Sequence, residues 1–245
     1  MVPRMRMRLR QVALVAADLP PVEAAITDEL GVELCFRDPA VGEFGLHNAL
    51  FPIGDKLLEV VSPVRDGTTA GRLLTKRGGD GGYMVILEVD DLDEMRRRIN
   101  ELRVRVVFTA AGDGIVGLHL HPRDLGGAIV SVDQADEWGE WPWAGPAWRQ
   151  HVRTDTVTDL VGVEVQADDP GRMAARWAEV LGRDVSIGGA GETTIPLDEG
   201  VIRFVPATDR RGDGVSAIDV AAAADHSART VELGGIRINV LAVMG

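Results

Sequence analysis

His119 and His121 stand on alternate residues of the run Gly117-Leu-His-Leu-His121. Residues two apart on a regular strand face the same way, and two imidazoles so placed can hold one metal ion. Pro122 follows at once and ends any strand ladder there, so a hydrogen-bonded or solvent-rim pair is the alternative. Glu59 lies between Leu58 and Val60 in an otherwise apolar run. Burying a carboxylate is costly unless it is paired, and desolvation raises its pKa, so Glu59 is a candidate general base toward an acidic C–H. The other reading is a strand-edge Glu paired with Lys or Arg. His47-Asn48 opens another strand-like run, either as hydrogen-bonding groups for a polar ligand or as turn-adjacent side chains that satisfy backbone groups. Arg72, Lys76 and Arg77 fall in a loop, Thr68 to Gly82, that either closes over an anionic substrate or is mobile and solvated. Gly78 to Gly82 is no phosphate loop, because no Lys-Ser/Thr pair and helix follow it. Cys35 is the only cysteine; it reads as a small buried thiol and excludes an intramolecular disulfide.

The elements that would position these residues repeat along the chain. Val12 to Asp18, Val85 to Asp91 and Gly162 to Asp169 are β-rich runs closed by Asp. After each Asp the apolar period changes from two to about 3.6. Pro20-Pro21 opens a helix that stops at Gly31, Asp91 opens one through Leu102, and Pro170 opens one that stops at Gly182, with Asp at the N-cap and Gly past the end as punctuation. Short strands follow each helix: Glu33 to Arg37, Phe44 to Ile53 and Lys56 to Ser62 in the first unit, with Gly54-Asp55 at a tight turn. The second unit has Val104 to Thr109, Ile115 to His121 and Ala128 to Val132. The third has Asp184 to Ile187, Glu192 to Leu197 and Val201 to Pro206. A shorter fourth unit runs Val215 to Ala223, then Ser227 to Glu232 as a helix or its remnant, then Ile236 to Val243. The plan is βαβββ four times over, an α+β chain.

Residues 136–157 separate units two and three and carry four of the five tryptophans. Their Pro and Gly content marks a domain boundary, while the large apolar rings point to a strap packed against both halves. The expected organisation is residues 1–135, the strap 136–157, and residues 158–245. The 45% apolar content supports packed cores, and the net charge of −12 without a basic, aromatic-interleaved face argues against nucleic acid or an anionic membrane as partner. Arg96 to Arg98 read as a solvated helix face opposite Glu94 and Glu101. The longest apolar runs fall well short of the roughly 20 residues of a membrane span, and the single cysteine suits a reducing, cytoplasmic location.

This array of strand, Asp, helix and Leu-Gly resembles the vicinal oxygen chelate superfamily, which includes glyoxalases, epimerases, extradiol dioxygenases and bleomycin-resistance proteins. The residues that carry the resemblance are Leu30-Gly31, Val180-Leu181-Gly182, Leu46-His-Asn-Ala-Leu50 with Lys56-Leu-Leu-Glu59-Val, and His121-Pro-Arg-Asp-Leu-Gly-Gly127-Ala-Ile-Val. The last looks like the final hairpin of the epimerase branch. The resemblance implies two tandem domains of paired modules, each closing into a half-open β cup. It also implies a divalent metal held by His or Gln on first strands and Glu on last strands, which suits a metal that binds adjacent substrate oxygens. Mapped onto this chain, those positions are Gln11, Glu59, Met84 and Ser131 in the first cup. Met is a soft thioether and Ser offers no carboxylate, so two of the four donors are missing. In the second cup, Gly162 and approximately Ile218 take the first-strand positions, and the final strands, Val201 to Val205 and Ile236 to Leu241, offer no acid in register, which implies a structural partner domain or an apolar pocket.

The sequence therefore leads to a glyoxalase-like protein that binds a small polar or anionic molecule in the first cup, lined by Gln11, His47, Asn48, Glu59, Met84, His119 and Ser131, with Glu59 catalytic if the protein is an enzyme. A metal-dependent lyase, isomerase, epimerase or dioxygenase using Gln11, Glu59 and His119 as ligands is the alternative. A non-catalytic interaction or drug-sequestering protein is the third. Whether a metal is the cofactor stays open at this stage, as does monomer against homodimer.

Overall fold

The computed structural model describes residues 4–242; Met1 to Pro3 of the N-terminal arm, and Val243 at the end of the last expected strand, lie outside the described residues. In chain order the elements are β1 (Met7–Val15), α1 (Leu19–Leu30), β2 (Leu46–Ile53), β3 (Lys56–Pro63), α2 (Thr69–Arg77), β4 (Gly81–Val89), α3 (Leu92–Glu101), β5 (Val106–Gly112), β6 (Ile115–Leu120), α4 (Pro122–Leu125) and β7 (Ile129–Ala135). Then come β8 (Val157–Ala167), α5 (Pro170–Leu181), β9 (Ser186–Ile187), β10 (Thr193–Pro196), β11 (Val201–Pro206), β12 (Gly214–Ala222), β13 (Arg229–Leu233) and β14 (Ile236–Leu241).

The strands form two seven-stranded sheets, ordered β2-β3-β1-β4-β7-β6-β5 and β13-β14-β12-β8-β11-β10-β9. In each sheet the first strands of two modules lie antiparallel at the centre, β1 against β4 and β8 against β12, and each pairs in parallel with the last strand of its own module. The helix punctuation holds with one difference. Asp91 and Asp169 accept hydrogen bonds from the backbone N–H of Glu94 and Arg172, whereas Asp18 stands at the N-cap without a side-chain bond. Gly31 and Gly182 end α1 and α5 at φ of +66° and +65°, where a side chain would be strained.

Period-2 alternation sends successive residues to opposite faces, and both faces of the central strands are buried. One face of each sheet, together with α1, α3 and α5, shares a continuous hydrophobic core that includes Val12, Leu14, Val85, Leu87, Val130 and Val132 from the first sheet and Val163, Val165, Ile202 and Ile218 from the second. The opposite face of the first sheet makes a separate cluster in which Ala13, Val15, Met84 and Ile86 pack with Trp141 and Trp148.

Several expectations are corrected. The first unit lacks a regular strand at Glu33 to Arg37; only Phe36 bridges to Leu50, and a 3-10 turn, Pro39–Phe44, follows. In the fourth unit, Ser227 to Glu232 does not form the expected helix: Arg229–Leu233 is strand, its backbone paired antiparallel along β14. Thr68 to Gly82 is not a loop, since Thr68 caps α2 through the N–H of Gly71. Arg77 is buried and donates to the Asp213 carbonyl at 2.6 Å, so it is not free to close over a ligand. Arg98 is more than part of a solvated face, because its guanidinium donates to the Glu179 and Val180 carbonyls at the end of α5. Trp141, Trp143 and Trp148 of the strap pack on the first sheet. Among the described residues, no helix is long and apolar enough to cross a membrane.

Candidate functional site

The concave face of the first sheet encloses a cavity of about 240 Å³, whose lining includes Gln11, Asn48, Glu59, Met84 and His119. These five expected residues converge because their positions share one parity of the curled sheet. Leu50 sits opposite Glu59 on β2 and β3, and Gln11 opposite Ile86 on β1 and β4. The walls are otherwise mainly apolar and aromatic, with Leu46, Ile86, Phe108 and Trp143 among them.

Glu59 is 7% exposed, and its carboxylate is held by two amides: Gln11 Nε2 donates to Oε2 at 2.8 Å and Asn48 Nδ2 to Oε1 at 2.7 Å. Desolvation raises its pKa, and the two amide donors oppose that rise. Gln11 in turn accepts from the Trp141 indole N–H at 2.8 Å. His119 stands in the cup beside Phe108, with ring centroids 5.4 Å apart; burial pushes its pKa down to about 4 and keeps the ring neutral.

Two expected residues, His47 and Ser131, do not line the cavity. His47 is exposed, because it has the opposite parity on β2 from Leu46 and Asn48. Ser131 shares the cup face with its strand partners Ile86 and His119 but is fully buried, its hydroxyl meeting the Asp133 carboxylate and the Leu118 carbonyl. The two histidines also separate. His121 has left the strand, and its Nδ1 accepts the backbone N–H of Arg123 at the start of α4.

Asp133 is the residue the sequence reading missed. It is 2% exposed, lines the cavity, and accepts the Trp143 indole N–H at 2.8 Å. Desolvation pushes its pKa up to about 7 against the bonds from Ser131 and Trp143, with the nearby Glu88 charge adding to the rise. The signal was present: β7 runs to Ala135, and Asp133 is one period-2 step beyond Ser131 on the same face. Cys35 is no nucleophile at neutral pH, since burial pushes its thiol up to about 12.

The final strands β11 and β14 carry no acid, as expected, but the corresponding face of the second sheet is not an apolar pocket, because Glu164 on β8 and Asp219 on β12 stand on it. Arg203 pairs with Asp219 and reaches Glu164 at 3.2 Å; Arg237 also pairs with Glu164, Ser216 donates to it at 2.8 Å, and Asn239 donates to Asp219 at 2.9 Å. These groups satisfy one another.

The glyoxalase-like domain family matches residues 12–181. The chain belongs to this family. It is similar to the mitochondrial methylmalonyl-CoA epimerase of Homo sapiens, with 30% identity over 134 residues that cover 52% of this chain and 74% of that protein. It is also similar to the ethylmalonyl-CoA/methylmalonyl-CoA epimerase of Cereibacter sphaeroides, with 26% identity over 133 residues that cover 52% of this chain and 97% of that protein. A crystal structure of a hypothetical protein from Staphylococcus aureus shares the fold, with a TM-score of 0.71 at 12% identity, covering 97% of this chain and 100% of that one. This glyoxalase-like chain thus stands in the vicinal oxygen chelate superfamily, with two tandem sheets of that type.

The donor set in its first cup does not fit the divalent metal that the superfamily implies. An indole N–H only donates, so the atom of Gln11 facing Trp141 is the carbonyl oxygen, and the amide turns its NH₂ to Glu59. The oxygen that would ligate a metal accepts the Trp141 N–H, and the amide presents its NH₂, not its oxygen, to Glu59. Met84 and Ser131 bring no hard anionic donor, and among the described residues no three His, Cys, Asp or Glu side chains are grouped to hold a metal ion. The set Gln11, Glu59 and His119 is therefore not assembled as a ligand sphere.

Proposed function

We propose that this glyoxalase-like protein is a metal-independent isomerase or epimerase that moves a proton at a carbon of a small, largely apolar carbonyl compound in the first cup. The observation that carries the reading is that two buried carboxyl groups, Glu59 from the first module and Asp133 from the second, enter one cavity with raised pKa values. Perturbed, buried acids in a concave site are candidates for proton transfer. Their strands are separated by β1 and β4, roughly 14 Å apart along the sheet at about 4.8 Å per strand, so a substrate lies between them. Glu59, held by two amide donors that favour the carboxylate, takes the proton. Asp133, which exchanges a proton near neutral pH, returns one from the other wall. The mainly apolar walls desolvate both carboxyl groups and raise their pKa values toward that of a working acid–base pair.

The named activity of the two relatives supports the isomerase class. The lining argues for a different ligand from an anion, since among the described residues it contains acids and no Lys or Arg. An anionic molecule would meet like charge there, so the substrate is a neutral, mainly apolar one. The test is deuterium wash-in from D₂O, followed by proton NMR, across neutral hydroxyketones and 1,3-diketones, with 2-oxo acids and acyl-CoA thioesters as anionic comparators. Exchange of a neutral probe, reduced at least 100-fold in both Glu59→Gln and Asp133→Asn, is expected, in line with the roughly 10²–10⁴-fold that general acid–base groups contribute. A probe that saturates the cup without exchange at any pH overturns the catalytic reading.

A further inference from the structure

We propose that Trp141 and Trp143, from the segment between the two sheets, are positioning residues of the cup: one indole N–H sets the direction of the Gln11 amide and the other anchors the Asp133 carboxyl group. The proposal rests on the proton-transfer reading only for what the two carboxyl groups act upon; the positioning itself is a property of the ligand-free protein.

Two donors from one short segment reach two polar groups on different modules. Trp141 Nε1 donates to Gln11 on β1 and Trp143 Nε1 to Asp133 on β7, each over 2.8 Å. Both acceptors are buried, and hydrogen bonds in such surroundings are costly to lose. A packing role alone would be served as well by Phe, which lacks the N–H.

The indoles are also fixed in place. Arg10 is buried, 5.1 Å from the centroid of Trp141 and 5.4 Å from that of Trp148, and its Nη2 donates to the Gly139 carbonyl at 2.9 Å. Arg149 stacks on Trp148 at 4.5 Å and donates to the same carbonyl at 2.8 Å. Trp143 lies against Gly112 on β5, where a Cβ would come within 2.7 Å of its ring. Cation–π stacking holds one side of the segment and a close backbone approach holds the other.

The groups that face Asp133 are Ser131 on its own strand, Glu88 on β4 (itself paired with Arg8 and Arg10), Gly117 on β6 and Trp143. Glu59 faces Gln11 and Asn48, with Asp38 as the nearby charge and the Tyr83 phenol of β4 as the other titratable group it meets in the cup. Each indole thus acts on one carboxyl group, Trp143 directly and Trp141 through Gln11. That separation is what the experiment reads.

Carboxyl-¹³C NMR titration of ligand-free protein, with Asp and Glu labelled, follows both midpoints in Trp141→Phe and Trp143→Phe. Removing the N–H donor from a carboxylate raises its midpoint. In Trp143→Phe the Asp133 midpoint rises by about one pH unit while Glu59 stays in place; in Trp141→Phe the Glu59 midpoint rises while Asp133 stays. Unmoved midpoints in both folded variants, or equal movement of both carboxyl groups in each, overturn the proposal. If either variant does not fold, ¹⁵N indole spectra of the wild-type chain decide. One solvent-protected indole resonance that follows the Asp133 titration, and loses that dependence in Asp133→Asn, is the expected result. Five indole resonances indifferent to Asp133 overturn it. Absence of catalysed exchange with every probe would sink the enzymatic reading and leave these titrations unaffected.

Discussion

Gly117 and Asp133 face each other across β6 and β7, and the carboxyl group occupies the space that a side chain at position 117 would need. A Cβ there would stand 2.6 Å from Asp133 Oδ2. The same relationship recurs in the second sheet, where a Cβ at Gly162 would stand 2.8 Å from Asp219 Oδ2. In the second sheet Arg203 and Asn239 satisfy the acid; in the first, only the uncharged donors Ser131 and Trp143 meet it, and burial pushes its pKa up to about 7.

Gly117→Ala is therefore expected to displace the Asp133 carboxyl group. Overpacking a filled site costs about 1–3 kcal/mol, measured by urea denaturation. In an Asp133→Ala background the same substitution costs less than about 0.5 kcal/mol, because the two residues are in contact and their effects do not add. Equal costs in the two backgrounds would show that the contact carries no energy.

Stability depends on pH through Asp133. The group is pushed up from 3.8 to about 7 in the folded state. Between those values the folded chain holds a proton that the unfolded chain has released, so its stabilising contribution is complete below about pH 4 and is lost as pH rises through 7. The loss is on the order of 4 kcal/mol. Asp133→Asn should flatten this part of the profile; an unchanged slope between pH 4 and 7 counts against a buried, protonated Asp133.

His119 acts in the opposite direction. Its pKa falls from 6.5 to about 4 on burial, so its contribution is present above pH 6.5 and is lost as pH falls through 4. The imidazole proton resonance of His119 should stay at its neutral shift from pH 8 to pH 5. Protonation near 6.5 would place the ring in water.

Much of the fold could be read in the chain because its signals are local. Apolar periods mark β1, β4 and β8, and Gly31 and Gly182 mark the ends of α1 and α5, without reference to distant residues. The meeting of Gln11 with Glu59 was also legible, since module geometry carries over from the resemblance and both residues keep the parity it requires. The remainder depended on contacts that periodicity does not carry. Trp141 reaches a residue 130 positions away, and the strand at Arg229–Leu233 is made by pairing with β14 rather than by local propensity. Asp133 was hidden by a strand end placed at Val132, and His47 by one residue of parity.

Metal titration gives a sharp expectation. With the Gln11 oxygen engaged by Trp141, calorimetry with Mn²⁺, Ni²⁺ or Zn²⁺ on protein purified without added metal should show no stoichiometric binding that depends on Glu59. Tight one-to-one binding abolished by Glu59→Ala would contradict this arrangement of the amide.

The most direct test of the central claim, two carboxyl groups poised for proton exchange in one apolar cup, is the carboxyl-¹³C titration of the wild-type, ligand-free chain. An Asp133 midpoint near 7 and a Glu59 midpoint raised from its ordinary value are expected. Midpoints below about 4.5 for both groups would contradict that claim.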